Sequence, residues 1–489
     1  NTLIRKRLFI VLLLIIEFLF IFSILVNSSL VSAIIAEAMT VISITVSLYI
    51  ISKKDKGAYK LTWVFTILIF PLFGGLLYII FHFQTTLKRY AKRVSKAEKK
   101  GRECFKLTDT ALKQAINSYP EYKAHIDYIS GYTGYPVYDS TGTKYLTCGE
   151  EYFEHLLAEL KKAEKYIFLE YFIIEEGKFF NTILDVLKQK AEEGVKVRII
   201  YDDMGCFFLL PKNYRTLLEA SGIECVVFNP FRPVLATVQN NRDHRKIASI
   251  DGKVAFTGGI NLADEYINEI EKHGHWKDGG IMLHGKAAWS LTVIFLEMWE
   301  ICTGNHENYT DYLPESFPEY QDGFVQPYAD SPLDNENISE HIYLQIINSA
   351  TDYLYITTPY LIIDDSMISA LSLAAKSGVD VRIITPHKWD KWLVHKTTRS
   401  YYATLIRSGI KIYEYKKGFI HSKTLVSDDK IASVGTANLD FRSLYLHFEC
   451  GVKLYGTKAV FELKNDFLNT IKESKEITLN ECKGNIFTN

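Results

Sequence analysis

The sequence lacks the paired cysteines on which disulfide frameworks and structural zinc sites depend. Its seven cysteines are scattered over 489 residues and form no CxxC pair or Cys/His cluster with zinc-ligand spacing. With only 12 prolines and 28 glycines, it is neither collagenous nor of low complexity. Its 48% hydrophobic residues suffice for two or three domains with buried cores. We therefore expect free thiols and neither a metal nor a cofactor.

The body of the protein also lacks the positive charge that nucleic-acid binding requires. Residues 1–102 carry 15 Lys/Arg against 4 Asp/Glu, whereas the remaining 387 residues carry 41 against 53, a balance of -12. Nucleic-acid affinity depends largely on Lys and Arg contacts to phosphates. The acidic body therefore disfavours a nuclease and predicts no nucleic-acid partner.

Long apolar runs are present, but they are confined to the N-terminal part of the chain. Runs 8–26 and 30–51 are each long enough to cross a hydrocarbon core of about 30 Å, and run 61–83 is interrupted by Pro71 and Gly74. We predict two spanning helices followed by a hydrophobic hairpin or a third span. A hairpin places all the basic clusters on one side of the bilayer, so we expect a multi-pass cell-membrane protein with a cytosolic body.

A basic stretch, 88–102, follows the anchor. Its eight Lys and Arg residues suit anionic lipid headgroups, and an ordinary solvated linker helix explains them equally well. Beyond the linker the sequence repeats itself, since Gly194–Ile200 matches Gly378–Ile384, with strand and helix patterns alternating in the same order in both copies. This predicts two homologous α/β domains related by a pseudo-twofold axis. The predicted organisation is a membrane anchor 1–87, a basic linker 88–130, a first α/β domain 131–325 and a second 326–489.

Each copy contains the same spaced set of polar residues. The set is an HxKxxxxD motif with an Asn 17 residues after its His: His244, Lys246, Asp251 and Asn261 in the first copy, and His421, Lys423, Asp428 and Asn438 in the second. Residues i and i+2 of a strand share a face, so each His and Lys can point together. Two such strands meeting at the pseudo-axis would surround one anion with two imidazoles and two ammonium groups.

That arrangement suits a phosphodiester. One imidazole can attack phosphorus while the other protonates the leaving alkoxide, and Lys and Asn side chains can stabilise the non-bridging oxygens. The roles of Asp251 and Asp428 stay open, because each begins a turn and turn formation is as plausible for them as chemistry.

These motifs resemble the phospholipase D superfamily, and nearly the whole chain is similar to its bacterial cardiolipin synthases. The likeness extends to Ala255–Asn261, Trp276–Asp278, Gly435–Ser443 and Phe448-Glu449. It implies two phospholipase D-like α/β domains behind transmembrane helices. It also implies that two phosphatidylglycerols condense to cardiolipin and glycerol through a phosphohistidine, with phosphatidylglycerol and anionic membrane lipid as partners.

The resemblance further implies a role for each histidine. His244 would be the nucleophile and His421 the general acid and base, with Glu449 orienting His244 and Asp278 orienting His421. The sequence departs from the family at His447, where Asn is common, and in Trp276–Asp278, where Lys replaces the more common Arg.

Three alternatives remain at the level of sequence. A membrane-bound phospholipase D that hydrolyses lipid would use the same motifs, and an inactive membrane scaffold would keep the fold. A homo-oligomer is also left open. The apolar segments Phe207–Pro211 and Phe228–Val234 could form walls of the site, membrane-dipping loops or ordinary core.

Overall fold

The computed structural model describes most of the chain. The described residues are 30–53, 56–82, 85–105, 110–231, 237–334 and 336–482, with four isolated positions between 15 and 22. The predicted first span, 8–26, lies outside the described residues except at those four positions. All seven cysteines are free thiols, as predicted. The chain divides into two compact units, residues 1–90 with 231–240 and residues 91–230 with 241–489.

The first unit contains three apolar helices and the start of a fourth. They are α1 (Leu30–Ile51), α2 (Gly57–Ile69), α3 (Pro71–His82) and α4 (Thr85–Cys104). Among the described residues, α1 is the one helix long and apolar enough to cross a membrane, over Ala33–Ile51. It coincides with the predicted span 30–51.

The predicted third run is broken at Pro71. Proline lacks a backbone N–H and is favoured at the first position of a helix, so α2 ends before it and α3 begins with it. The two helices fold back on each other, with the rings of Trp63 and Tyr78 5.3 Å apart. A side chain on Gly74 would approach the backbone oxygen of Thr66 to 2.7 Å. This is a helical hairpin, and the number of membrane crossings stays a prediction.

From Ala91 onward α4 belongs to the second unit, where it packs on the body. Val94 and Ala97 are buried, the Nζ atom of Lys100 lies 2.5 Å from Glu300, and Arg93 donates to the carbonyl of Ile301. The basic stretch is therefore in part a docked helix, and it is not the solvated linker that its composition also allowed.

The remainder of the second unit consists of two sheets with their helices. The strands of the first repeat are β1 (Thr141–Leu146), β2 (Tyr166–Tyr171), β3 (Lys196–Asp202), β4 (Glu224–Phe228), β5 (Arg242–Asp243), β6 (Lys246–Ile250), β7 (Val254–Gly258), β8 (His275–Lys277) and β9 (Gly280–Gly285). Those of the second are β10 (Phe324–Asp330), β11 (Tyr353–Thr357), β12 (Leu361–Ile362), β13 (Asp380–Pro386), β14 (Lys411–Tyr415), β15 (Gly418–Ile420), β16 (Thr424–Ser427), β17 (Ile431–Gly435), β18 (Leu439–Asp440), β19 (His447–Tyr455) and β20 (Ser474–Glu476).

Helices connect and cover these strands. Those of the second unit after α4 are α5 (Thr110–Ser118), α6 (Lys123–Asp127), α7 (Gly149–Lys162), α8 (Lys178–Glu192), α9 (Tyr214–Ala220), α10 (Ala288–Thr303), α11 (Ile338–Ser349), α12 (Asp365–Lys376), α13 (Trp392–Arg407), α14 (Phe441–Leu446) and α15 (Lys458–Lys472). Helix α10 is apolar around most of its circumference and is buried from Ala288 to Ile301, as such a helix must be to stay in water.

The two sheets have the same strand order. It is β1-β9-β7-β6-β2-β3-β4 in the first repeat and β10-β19-β17-β16-β11-β13-β14 in the second, where β20 extends the edge. The matching sequences Gly194–Ile200 and Gly378–Ile384 begin two residues before β3 and β13 and continue into these strands, which hold equivalent positions in the two sheets. The predicted duplication of one α/β domain is thus confirmed.

Candidate active site

Strand register places both HxK motifs at the same edge of their sheets. Lys246 pairs with Tyr171, the last residue of β2, and Tyr171 pairs with Tyr201 near the end of β3. In the second repeat Thr424, directly after Lys423, pairs with Thr357 at the end of β11. Both motifs therefore lie at the carboxyl ends of the central parallel strands, the edge where open α/β sheets bind ligands.

Two short parallel pairings join this edge of one repeat to the other. Strand β5 pairs with the start of β19, and β15 pairs with β8. The backbone N–H of His244 donates to the carbonyl of Phe448 at 3.0 Å, and that of His421 donates to the carbonyl of Lys277 at 2.7 Å. These two pseudo-symmetric strand pairings place the histidine of each repeat against the other repeat.

Each imidazole meets a carboxylate from the other repeat. His244 Nδ1 lies 2.9 and 3.0 Å from the two oxygens of Glu449, and His421 Nδ1 lies 2.8 Å from Asp278 Oδ2. An ionised carboxylate only accepts hydrogen bonds, so Nδ1 carries the proton and Nε2 is left with its lone pair. All four side chains are buried. A neutral imidazole in this tautomer can act as a nucleophile or as a base.

The two lysines lie beside their own histidines. Lys246 Nζ donates to the carbonyl of His244 at 2.5 Å, and Lys423 Nζ donates likewise to the carbonyl of His421. Burial lowers the pKa of Lys246 to about 8 and that of Lys423 to about 7. The charge of Lys246 contributes to lowering the pKa of Lys423 and of His421, so the two motifs share one electrostatic site.

The histidines are neutral and the carboxylates ionised in this site. Burial lowers the pKa of His244 well below its ordinary value and that of His421 to about 4, where the charge of Lys423 acts in the same direction. Burial opposes ionisation of Glu449 and Asp278, yet each has a lowered pKa because of the adjacent histidine. A phosphodiester bound here would add negative charge and raise the pKa of both imidazoles.

The two asparagines differ in their surroundings. Asn261 accepts from the N–H of Ile173 at 3.0 Å and donates to the hydroxyl of Tyr266 at 2.6 Å, which fixes its amide. The oxygen of Asn438 is buried without a hydrogen-bond partner. The residue five positions after it is Ser443, where the first repeat has Tyr266. Because no hydrogen bond holds the oxygen of Asn438, this amide can turn its NH2 group towards a bound phosphate oxygen.

The structure does not bring Asp251 and Asp428 to the histidines. Asp251 lies at the far end of β6, and Asp428 directly after β16, so each is on the order of 16 Å from its motif lysine. The Asp251 carboxylate accepts three backbone N–H bonds at 2.7 to 2.8 Å, from Glu164, Lys165 and Tyr166. The Asp428 carboxylate does the same for Thr351, Asp352 and Tyr353. Both aspartates hold the turn before a central strand.

We expect substitution of Asp251 to affect folding rather than chemistry. Asp251→Asn should lower the free energy of unfolding by about 1–3 kcal/mol, because an amide replaces a charged acceptor of three hydrogen bonds. Asn tolerates the left-handed backbone at this position, where φ is 50°, so no strain is added. Denaturant unfolding and kcat of the folded enzyme would be measured together. A large loss of kcat at unchanged stability would contradict this assignment.

Sequence reasoning named Trp276 and His447 only as parts of the family motifs, and it missed that their rings pack on the imidazoles. The ring of Trp276 lies 5.2 Å from that of His421, and the ring of His447 lies 5.4 Å from that of His244. Both residues stand two positions before the orienting carboxylate, so their shared offset was the available signal. Thr436 also contributes, since its hydroxyl donates to Glu449 Oε2 at 2.5 Å.

Of the two departures from the family, only His447 lies at the histidines. Both ring nitrogens of His447 are buried without a hydrogen-bond partner. Successive residues of a strand face opposite ways, so Lys277 points away from Asp278, and it pairs with Asp466 at 2.7 Å.

By donor type, His244, His447 and Glu449 could hold a metal ion such as zinc. The ammonium group of Lys246 beside them opposes a second cation.

Both repeats and part of the N-terminal anchor match known protein families in sequence. Residues 156–276 and 343–471 match the family described as "Cardiolipin synthase, PLD-like domain", and residues 41–81 match "Phospholipase D-nuclease N-terminal". Cardiolipin synthase 2 of Bacillus anthracis is 38% identical over 85% of this chain and 81% of its own length. The cardiolipin synthase of Alkalihalophilus pseudofirmus is 37% identical over 87% of this chain and 85% of its own length.

A solved structure shares the fold. The phosphatidylserine synthase of Haemophilus influenzae superimposes with a TM-score of 0.54 at 15% identity, over 70% of this chain and 89% of that one. Two α/β repeats that each contribute a His-Lys pair to a shared edge define a phospholipase D-like protein. Within that class, the chain belongs to the cardiolipin synthase family.

Proposed function

We propose that this protein is a membrane-bound phosphatidyltransferase that converts two phosphatidylglycerols into cardiolipin and glycerol. The observation that carries the proposal is the reciprocal pairing of His244 with Glu449 and of His421 with Asp278. It gives one buried site two imidazoles in the same tautomer, each with a free Nε2 atom. Two such imidazoles can serve as nucleophile and as general acid and base in two successive in-line displacements at phosphorus.

In the first step Nε2 of His244 attacks the phosphorus of one phosphatidylglycerol. The bond to the glycerol headgroup breaks, and the alkoxide that leaves takes a proton from Nε2 of His421. Charge on the non-bridging oxygens is stabilised by Lys246, Lys423 and Asn438. Because the bound anion raises the pKa of His421, substrate binding itself favours the protonated form that this step requires.

In the second step the headgroup of another phosphatidylglycerol replaces the departed glycerol. His421, now neutral, takes the proton from its primary hydroxyl, and the oxygen attacks the phosphohistidine. The bond between phosphorus and His244 breaks, and cardiolipin leaves. Glu449 and Asp278 support the positive charge that appears on the two imidazoles in turn. Water in place of the lipid alcohol would give phosphatidic acid, the product of the hydrolase alternative.

The proposal includes a place at the membrane. Helix α1 is long and apolar enough to span a bilayer, residues 41–81 match the "Phospholipase D-nuclease N-terminal" family, and the two relatives described above are named cardiolipin synthases. We propose a multi-pass anchor with the catalytic body on the cytosolic side.

The test is an assay of the purified full-length protein in phosphatidylglycerol vesicles with labelled free glycerol. A phosphohistidine exchanges label into phosphatidylglycerol, and forward turnover releases cardiolipin and glycerol in equal amounts. Lipid products would be read by mass spectrometry. His284→Gln is a matched control, since this histidine lies on β9 against Tyr320, apart from the motifs.

Each product pattern is decisive. Cardiolipin with glycerol exchange supports the synthase. Phosphatidic acid as the sole product makes the protein a hydrolase, and the absence of any turnover in the unaltered protein supports the scaffold.

A further inference from the structure

We propose that two loops at the active-site edge dock the catalytic body on the headgroup layer of an anionic bilayer. They are the Phe loop, residues 203–213, and the Trp loop, residues 387–393, whose last two residues are the first two of α13. The inference rests on the proposed function, because it gives the lipid substrate a route to the site. Its occupant is a lipid surface that contains phosphatidylglycerol.

The Phe loop presents an aromatic side chain to solvent. Phe208 is 92% exposed, and neighbouring Met204 is 42% exposed. The loop is nonetheless fixed to the site: Cys206 lies against the carbonyl of Phe172, and the Phe172 ring is 5.1 Å from the ring of His244. The loop that carries this exposed phenylalanine is thus held, through Cys206 and Phe172, near His244.

The Trp loop, in the second repeat, also presents large apolar side chains to solvent. Trp389, Trp392 and Leu393 are 51%, 57% and 69% exposed. Tyr360 donates to Asp390 at 2.5 Å, which ties the loop to the body. A chain of ring contacts then links Tyr360 to the catalytic histidine of this repeat. The ring of Tyr360 lies 6.3 Å from that of Phe419, and the ring of Phe419 lies 6.0 Å from that of His421.

Both loops leave the sheets at the edge that carries the motifs. The Phe loop begins two residues after Tyr201, which is in register with Tyr171 and Lys246. The Trp loop begins three residues after Ile384, which is in register with Thr357 and through it with Thr424. In each repeat the loop thus starts two strands, or about 10 Å, from the motif strand. The pseudo-symmetry places one aromatic loop on each side of the histidines.

The charges and residue types fit a bilayer surface. Lys388, Lys391 and Lys396 flank the exposed tryptophans, and Lys212 lies in the Phe loop, all of them exposed. Tryptophan prefers the interfacial layer of a membrane, and lysines there gain from anionic headgroups. Elsewhere the body carries a net negative charge. Each loop also carries one acidic residue, Asp203 or Asp390, so the Phe loop is neutral and the Trp loop is basic. The exposed lysines and aromatic rings of the two loops lie at the edge where the lipid headgroup must enter.

The first measurement is fluorescence quenching of the full-length protein in vesicles that contain brominated lipid. Trp389→Phe/Trp392→Phe is compared with the unaltered protein, so the difference reports these two tryptophans alone. We expect brominated lipid to quench that difference signal. An unquenched signal, with a change in sedimentation from oligomer to monomer in Trp389→Ser/Trp392→Ser, would assign the surface to a second copy and overturn the proposal.

The second measurement is activity on two forms of phosphatidylglycerol. Phe208→Ser and Trp389→Ser/Trp392→Ser should each raise the KM for vesicle substrate about tenfold or more, because each removes apolar area from the interface. Turnover of short-chain phosphatidylglycerol below its micellar concentration should be unchanged. Leu373→Ser and Phe461→Ser are matched controls, since these side chains are 64% and 48% exposed on α12 and α15.

The two assays separate the docking surface from the chemistry. Unchanged vesicle KM in all loop variants would overturn the docking proposal while leaving the reaction intact. Absence of turnover on either substrate in the unaltered protein would overturn the proposed function, and quenching would still decide whether the loops touch lipid.

Discussion

His244→Ala is expected to reduce cardiolipin formation by about 10⁴-fold or more and to abolish glycerol exchange into phosphatidylglycerol. The variant removes the atom that forms the covalent bond to phosphorus, so both steps are lost together. The cavity that it leaves lies between Glu449, Phe172 and His447, whose ring lies 5.4 Å from the His244 ring that is removed. The measurement is product formation and label exchange in vesicles.

A substrate with a good leaving group distinguishes the nucleophile from the acid. Phosphatidyl-p-nitrophenol leaves without a proton, so His421→Ala should still release one equivalent of p-nitrophenol and then stop, because no base activates the acceptor. His244→Ala should give no burst. A burst in His244→Ala and none in His421→Ala would reverse the two roles.

His447→Asn is the matched control for this experiment. It changes a ring that packs on His244, and whose Nδ1 lies 3.8 Å from Glu449 Oε1, to the residue that is common in the family. We expect the burst to persist in this variant. Loss of the burst would mean that His447 is needed to position the nucleophile.

The sequence was sufficient to predict what local periodicity encodes. A strand places His244 and Lys246 together, and the repetition of the motif with its Asn 17 residues later predicts a duplicated site. That the two sheets share one strand order follows from the same repetition, because two homologous chain segments adopt one fold, whereas the order itself was not predicted. The break of the apolar run at Pro71 could likewise be predicted, because a proline lacks the backbone N–H that a continuous helix needs.

Contacts between the repeats could not be predicted from local pattern. His244 and Glu449 are 205 residues apart, and His421 and Asp278 are 143 residues apart, so no periodicity links them. Only the family resemblance suggested the pairing. The parallel pairings of β5 with β19 and of β15 with β8 bring these groups together, and with two and three residue pairs they are too short to leave a sequence signal.

Conserved-looking spacing was also an imperfect guide to chemistry. Asp251 and Asp428 each follow their motif lysine by the same number of residues. Each carboxylate nevertheless accepts hydrogen bonds from three backbone N–H groups at the opposite end of the strand from that lysine. A repeated fold repeats its structural supports as faithfully as its catalytic groups. The docking of α4 through Lys100 and Glu300 was hidden for a different reason, because a basic surface helix looks the same in sequence whether it contacts solvent, lipid or protein.

Asp278→Asn is expected to reduce kcat by about 10²–10⁴-fold, with partial recovery at lower pH. His421 must be protonated to release the first glycerol, and the charge of Asp278 favours that form against burial and Lys423. Replacing the carboxylate by an amide lowers the pKa of His421 further. At a fixed pH the protonated fraction falls, and acidification restores it, so the pH optimum of kcat should move to lower pH.

Glu449→Gln provides the matched comparison because it makes the same chemical change at the other histidine. His244 must be neutral to attack, and it becomes positively charged only as the bond to phosphorus forms. Loss of Glu449 therefore destabilises the phosphohistidine, and added protons cannot replace the missing charge. We expect a similar loss of kcat without recovery at lower pH. Profiles of kcat from pH 5 to 9 for both variants check this, and recovery of both or of neither would refute the assignment of one histidine as nucleophile and the other as acid.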